Sequence, residues 1–312
     1  MRKAITLVIF TISISGKAQN MMLMGGSDEF VPLAINYTAI PDLGGTTVTN
    51  YGTDLTLGFP VKKSMMAFSL GYQNFDFTFE ETTNVIDLSA FENMQVFRGG
   101  ISYIKPLSNN WRLMLSGGAA IMSNLEGDLN SEDFVFNAIV GALKKWGNEE
   151  RNTTLLIGAF YGTQFGEPTL LPAFSLRQKL NDHWSYSIGL PITGLNYRIN
   201  DRHRFALQLT PQGIFGNNSQ EERVTGNRTL SNTKLQFNGI TTRLSYQYRF
   251  TKYIALFTEG GFIPQATLKI LDSDNEEILD LDPGNGVFFN VGLRMILPRR
   301  NTTIPKKESN EN

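Results

Sequence analysis

His183 and His203 are the only two histidines in this 312-residue chain. They come first because a Ser or Asp nucleophile needs a base such as His within hydrogen-bond reach. Both lie in short polar stretches, Asn181-Asp182-His183 and Asn200-Asp201-Arg202-His203, which read as turns. Exposed turn histidines are the expectation, and no catalytic residue is assigned. The chain has no His-Glu-x-x-His, Cys-x-x-Cys, Gly-x-Ser-x-Gly or glycine-rich phosphate loop. Metal, nucleotide and other cofactor chemistry therefore has no handle, and none is expected. The acidic stretch Asp272 to Asp282 could offer oxygens to calcium. Its sixth position is Glu277, where an EF-hand has Gly, and its twelfth is Pro283, where an EF-hand has Glu. A solvated acidic loop is expected there; loose contact with divalent ions or lipopolysaccharide is the alternative.

Arginine carries the stronger signal. Arg98, Arg112, Arg177, Arg198, Arg204, Arg243, Arg249 and Arg294 all fall on the polar face of alternating segments. Asp54 and Asp76 are the best candidates for acids on the same face. Six of the arginines, Arg112, Arg177, Arg198, Arg204, Arg249 and Arg294, lie near short turns and could form a basic ring at one mouth of a barrel. Rings of Arg or Lys favour anions in pores. In the competing reading, the same side chains fill a narrow interior and pair with backbone or buried acids.

These assignments rest on the elements that present the side chains. From Gly52 to Pro298 apolar and polar residues alternate over stretches long enough to cross a membrane. In Val287 to Leu297, the odd positions are Val, Phe, Val, Leu, Met and Leu, while Asn290, Gly292 and Arg294 take the other face. Successive strand residues point to opposite faces, so such a segment has one apolar and one polar side. Fourteen segments can be delimited, among them Thr53–Pro60, Tyr253–Ile270 and Val287–Leu297. The pair Trp184–Leu190 and Thr193–Ile199 is short, and merging it reduces the count to twelve. Connections alternate between short turns and long polar loops, the pattern of periplasmic turns and extracellular loops in outer-membrane barrels. Aromatics collect beside the short turns, including Phe59, Trp111, Trp184, Tyr197, Tyr248 and Phe250, as expected of a membrane-interface girdle. Leu113 and Leu293 are expected to meet lipid, and Ser116 the lumen. The fold class is all-β: an antiparallel transmembrane β-barrel of about 14 strands, with 12 as the alternative.

The ends fit export. Arg2 and Lys3 precede an apolar run, Ala4 to Ile14, and Gly16-Lys17-Ala18 provides small residues for cleavage. The run is shorter than the ~20 residues of a transmembrane helix. Residues 1–18 are expected to be a signal peptide and 19–28 a short leader. Residues 29–298 are expected to form the barrel and 299–312 a disordered polar tail. With no cysteine, neither a disulfide nor a lipid-modified N-terminal cysteine is possible. A net charge of −1 gives no reason to expect nucleic-acid binding.

Three phrases carry a resemblance: Leu57-Gly58-Phe59-Pro60; Ile101-Ser102-Tyr103-Ile104-Lys105-Pro106-Leu107 with Trp111; and Trp184 with Gly189-Leu190-Pro191 and Asn196-Tyr197-Arg198-Ile199-Asn200. The plan resembles an uncharacterised family of Gram-negative outer-membrane β-barrel proteins, a domain of unknown function. The resemblance implies a fold and a membrane and brings no catalytic residues. The expected partners are outer-membrane lipid and lipopolysaccharide, and the barrel-assembly machinery during biogenesis. A pore or transport channel for small, perhaps anionic, solutes is the first functional reading. A filled structural or interaction barrel acting through extracellular loops is the second, and an outer-membrane enzyme a weak third.

Overall fold

A computed structural model describes residues 30–80, 83, 85–148, 150–224 and 228–297. The expected signal peptide, leader and tail lie outside the described residues. Seventeen strands are present: β1 (Phe30–Ile40), β2 (Thr46–Val61), β3 (Ser64–Phe79), β4 (Asn93–Pro106), β5 (Trp111–Ser123), β6 (Phe134–Gly147), β7 (Asn152–Gly162), β8 (Thr169–Lys179), β9 (Trp184–Leu190), β10 (Thr193–Arg198), β11 (His203–Asn217), β12 (Glu222–Val224), β13 (Arg228–Leu230), β14 (Lys234–Arg249), β15 (Ile254–Leu271), β16 (Glu277–Asp280) and β17 (Gly284–Leu297).

Fourteen of them close a barrel. Each strand pairs antiparallel with the next, β14 follows β11, β17 follows β15, and β17 closes on β1 through Ala34↔Arg294 to Ala39↔Phe289. Strands β12 and β13 form a separate hairpin, and β16 folds back on β15. The short pair β9 and β10 is part of the wall, so the alternative of twelve strands is excluded. Closure leaves no edge strand, the condition for a sheet in lipid; only the upper ends of β8 and β11 run past their short neighbours β9 and β10.

The pleat sorts the side chains. Leu55, Leu70, Phe136, Ile157, Leu207, Leu244 and Phe289 point outward and are exposed, giving the barrel an apolar belt. Aromatic contacts ring its short-turn end: Trp184 on Tyr197 at 4.4 Å, Phe205 on Tyr246 at 4.9 Å and Tyr248 on Phe250 at 4.9 Å. Outward Tyr51 and Tyr72, 6.2 Å apart, mark the opposite rim.

Inside, the long-loop half is packed with apolar side chains. Phe75, Phe77, Met94, Ile214, Phe237, Leu268 and Phe288 belong to one buried cluster. Leu88, Ala90 and Phe91 join it from a 3-10 turn that drops the loop between β3 and β4 into the mouth. Above the cluster the wall bridges to itself. Asn217 of β11 pairs in parallel with Ser123 of β5, and the Asn124 N–H donates to the Asn217 carbonyl at 3.1 Å. Five strands separate β5 from β11 around the wall, so this contact spans the mouth. Gly213 helps from the side: a Cβ there would collide with the backbone of Thr163 and Gly166 in the loop after β7.

Polar groups fasten the cover. Lys234, only 3% exposed, reaches Glu132 at 2.9 Å, Asn275 Oδ1 at 3.2 Å and the Ser273 carbonyl at 3.3 Å. One ammonium thus ties two loops, the one before β6 and the one after β15, to the start of β14. Asn217 donates to Asp133 at 2.9 Å, and Asn124 donates to Asn218 at 2.7 Å and to the Ala90 carbonyl at 3.0 Å.

Candidate functional site

Beneath the apolar cluster, at the short-turn end, the barrel keeps a polar vestibule with a cavity of about 150 Å³. Five cationic side chains line it: Arg177 and Lys179 from β8, Arg198 from β10, Arg204 from β11 and Arg294 from β17. Strand register explains the gathering. Arg198 lies directly opposite Arg204, Arg204 opposite Gln247, and Arg294 two strands beyond Gln247, in register with Ala255. Inward positions on neighbouring strands therefore share one level. The Arg294 guanidinium sits over the Phe257 ring at 3.8 Å and donates to Gln247 at 3.4 Å.

Two carboxylates accompany them. Asp182 accepts from Lys179 at 2.8 Å. That hydrogen bond, with the Lys179 charge behind it, holds the Asp182 carboxyl below its ordinary value. Glu259, on the inward face of β15, accepts from Ser245 at 2.9 Å, Asn290 at 3.0 Å and Arg243 at 3.5 Å. This network forms the vestibule roof and leaves the cavity with more positive than negative groups.

All six arginines expected in the basic ring lie on the inward face by register. Arg177, Arg198, Arg204 and Arg294 line the one cavity. Arg112 and Arg249 do not line it. Arg112 stands on the far wall opposite Leu143, beside a second apolar cluster that includes Met114, Leu143 and Leu156. Arg249 faces Ala255 at the very edge of the sheet. Asp54 is inward, bound to Arg98 at 2.7 Å. Asp76 is a correction: it alternates with the buried Phe75 and Phe77 and points outward, accepting from Asn74 at 3.0 Å and Asn93 at 2.7 Å. The acid missed in the sequence is Glu259. Its parity with Ala255 and Gly261 was a usable signal, but both faces of that segment are largely apolar.

Each histidine is held through one ring nitrogen. His183 Nδ1 is 2.7 Å from the Arg198 carbonyl, and His203 Nδ1 is 2.8 Å from the Tyr246 hydroxyl. His203 opens β11 instead of sitting in a turn. In the acidic loop, Asp272 accepts from the backbone of Asp274 and Glu276, while Glu277 and Asp280 pair with Lys269. Among the described residues no group of three or more His, Cys, Asp or Glu could hold a metal ion.

The model of a family described as a domain of unknown function (DUF6268) matches residues 60–296. The chain belongs to this family. The match runs from the end of β2 through β17, so the vestibule and its roof lie within the family's domain. No curated protein matches the sequence. Similar solved structures include the NanC porin, with TM-score 0.38 and 10% identity over 85% of this chain and 100% of that one. LpxR from Salmonella typhimurium gives TM-score 0.38 and 8% identity over 84% and 99%. The COG4313 outer membrane channel from Pseudomonas putida F1 gives 0.39 and 11% over 85% and 93%.

Proposed function

We propose that the protein is an outer-membrane barrel, closed to ion flow at its extracellular end, that binds small anionic solutes in a periplasm-facing vestibule. In this reading the signal peptide directs export, and the barrel-assembly machinery inserts the chain with its short turns in the periplasm. The apolar belt and the closure of the sheet support the membrane setting. The asymmetry of the connections supports the orientation. One observation carries the closure: the Asn217–Ser123 pairing across the mouth, above a buried apolar cluster.

The vestibule supports the anion. Arg198 and Arg204 face each other directly, and like charges so placed are destabilising in a sheet. A bound oxyanion would relieve that repulsion and could take two donors from each guanidinium. Stacking on Phe257 fixes the plane of one such fork. The reading is non-enzymatic: each imidazole Nδ1 meets a carbonyl or a phenol, and no Ser or Thr hydroxyl is hydrogen-bonded to either ring among the described residues.

Two measurements test it. In planar bilayers the purified protein should show no steady conductance; stable channels of uniform size would overturn the closed state. Calorimetry should show saturable binding of inorganic phosphate, lost when Arg198, Arg204 and Arg294 are all replaced by Gln. The affinity should fall between 0.1 M and 1 M salt, as the Debye length drops from about 10 Å to about 3 Å. Unchanged phosphate binding in the triple variant would refute the site.

A further inference from the structure

Above the vestibule roof lies a second, separate cavity of about 170 Å³, ringed by β1, β2, β3, β11, β14 and β17. Its two halves differ in chemistry. The upper half is the underside of the apolar cluster, with Phe75, Phe77 and Phe237. The lower half is a belt of neutral polar side chains, Asn36, Thr38, Asn50, Gln73, Gln212 and Asn290.

No charged side chain lines this chamber. The charges nearest to it are already committed. Gln73 accepts from Arg98, whose guanidinium holds Asp54 at 2.7 Å. Asn290 donates to Glu259, which also takes Arg243. The chamber is therefore screened from the vestibule by amides that face it on one side and an ion network on the other. Among the described residues, the side chains of Asn36, Thr38 and Gln212 make no hydrogen bond to protein, yet all three line the space. All three are half-buried, so they present donors and acceptors to whatever occupies the chamber, water included.

We propose that this chamber is a binding site for a small neutral molecule, the size of a single six-membered ring, with a hydroxyl or amide on one edge. Size follows from volume: an apolar protein cavity of about 150 Å³ holds benzene. Neutrality follows from the lining, since a bare charge under three aromatic rings with no counter-ion loses its hydration without return. Polarity on one edge follows from the split between ceiling and belt. A molecule polar all round would leave hydroxyls against Ile40, Val48 and Ile214. This site is independent of the anion reading: it holds a different class of ligand, behind the roof.

The test uses full-length protein refolded in detergent micelles, with 4-fluorophenol as the probe and fluorine NMR as the readout. Saturable binding is expected, displaced by benzamide. Binding of 4-fluorobenzoate should be at least about ten-fold weaker. Gln212→Leu keeps the volume and removes the amide, and should weaken 4-fluorophenol about five- to ten-fold, the effect of one hydrogen bond. Thr38→Phe fills the chamber and should abolish binding. No saturable binding to the folded protein overturns the proposal, as does equal affinity for the charged analogue. Unaltered binding in Gln212→Leu also overturns it, because the probe would then sit in the micelle or the vestibule. If Thr38→Phe fails to fold, the Gln212→Leu comparison decides alone.

Discussion

Glu259 holds the vestibule roof together. Its side chain is 11% exposed and that of Arg243 22%, so both are mostly withdrawn from water. Removing one partner of such a pair strands the other. Glu259→Ala should lower stability by about 2 kcal/mol, less than the ~3–5 kcal/mol of a fully buried pair because some hydration remains. Glu259→Gln should cost less than Glu259→Ala, since an amide can still accept from Ser245 or Asn290. Urea titrations followed by the gel-mobility shift between folded and unfolded barrel would rank the two. Equal losses would mean that only the charge matters. Lys234 can be tested in the same spirit. Lys234→Met keeps a long unbranched side chain beside Phe215 and removes the ammonium that sits over its ring and ties Glu132, Ser273 and Asn275 together. The barrel should still form, while limited proteolysis should now cut between 124 and 133 and between 272 and 283. Loops as resistant as in the unaltered protein would deny Lys234 its fastening role.

At the level of the strand, facing is decided one residue at a time. Ser69 and Leu70 are adjacent on β3, both exposed, and point to opposite sides of the wall. Leu70 is 61% exposed on the belt. Ser69 looks into the lumen, one register step from Asp54 on the neighbouring strand. Leu70→Arg should impair assembly, since an arginine on the lipid face costs up to about 2–4 kcal/mol, less toward the interface. Ser69→Arg should be tolerated, with water and Asp54 within reach. Equal yields of heat-modifiable barrel would show the pleat assignment to be wrong. Alternation made most strands legible in the sequence, down to the short β9 and β10. It failed where contrast vanished. Strand β2 begins at Thr46, well before the expected Thr53, because Thr46 to Gly52 alternates Thr with Val, Asn and Tyr and shows no clear apolar face. The inward arginines were legible for the same reason that the lipid-facing leucines were. Their convergence was not, because which strands stand at one level depends on shear and register across the whole barrel. The closed mouth was also out of reach, since Leu88-Ser89-Ala90-Phe91 reads as loop and only tertiary contact turns it into packing.

For the whole molecule, closure and selectivity become separable. Replacing residues 83–91 with a short Gly-Ser link removes Leu88, Ala90 and Phe91 from the mouth without touching a barrel strand. If the barrel reads correctly as a shut passage, this variant should conduct, and reversal potentials under a salt gradient should show anion preference from the arginines below. Adding Arg198→Gln and Arg204→Gln should move the preference toward cations. Conductance with cation preference in the loop variant alone would contradict the charge assignment; a silent loop variant would mean that the Asn217–Ser123 bridge and the remaining cluster close the lumen unaided.

The two shortest wall strands bear on the bilayer itself. Strands β9 and β10 have 7 and 6 residues, while β2 and β3, across the barrel, have 16 each. Seven residues extend about 23 Å, and a tilt near 45° leaves about 16 Å of height against an apolar band of about 25 Å. The lipid must meet this mismatch, by thinning beside the low side or by letting the barrel lean. Bilayers of shorter acyl chains should therefore accept the protein faster and in higher yield than thick ones. A barrel with one low flank carries its own dimple in the membrane, and such a depression attracts other inclusions that fit thin lipid, giving the molecule a preferred neighbour side before any protein contact is made.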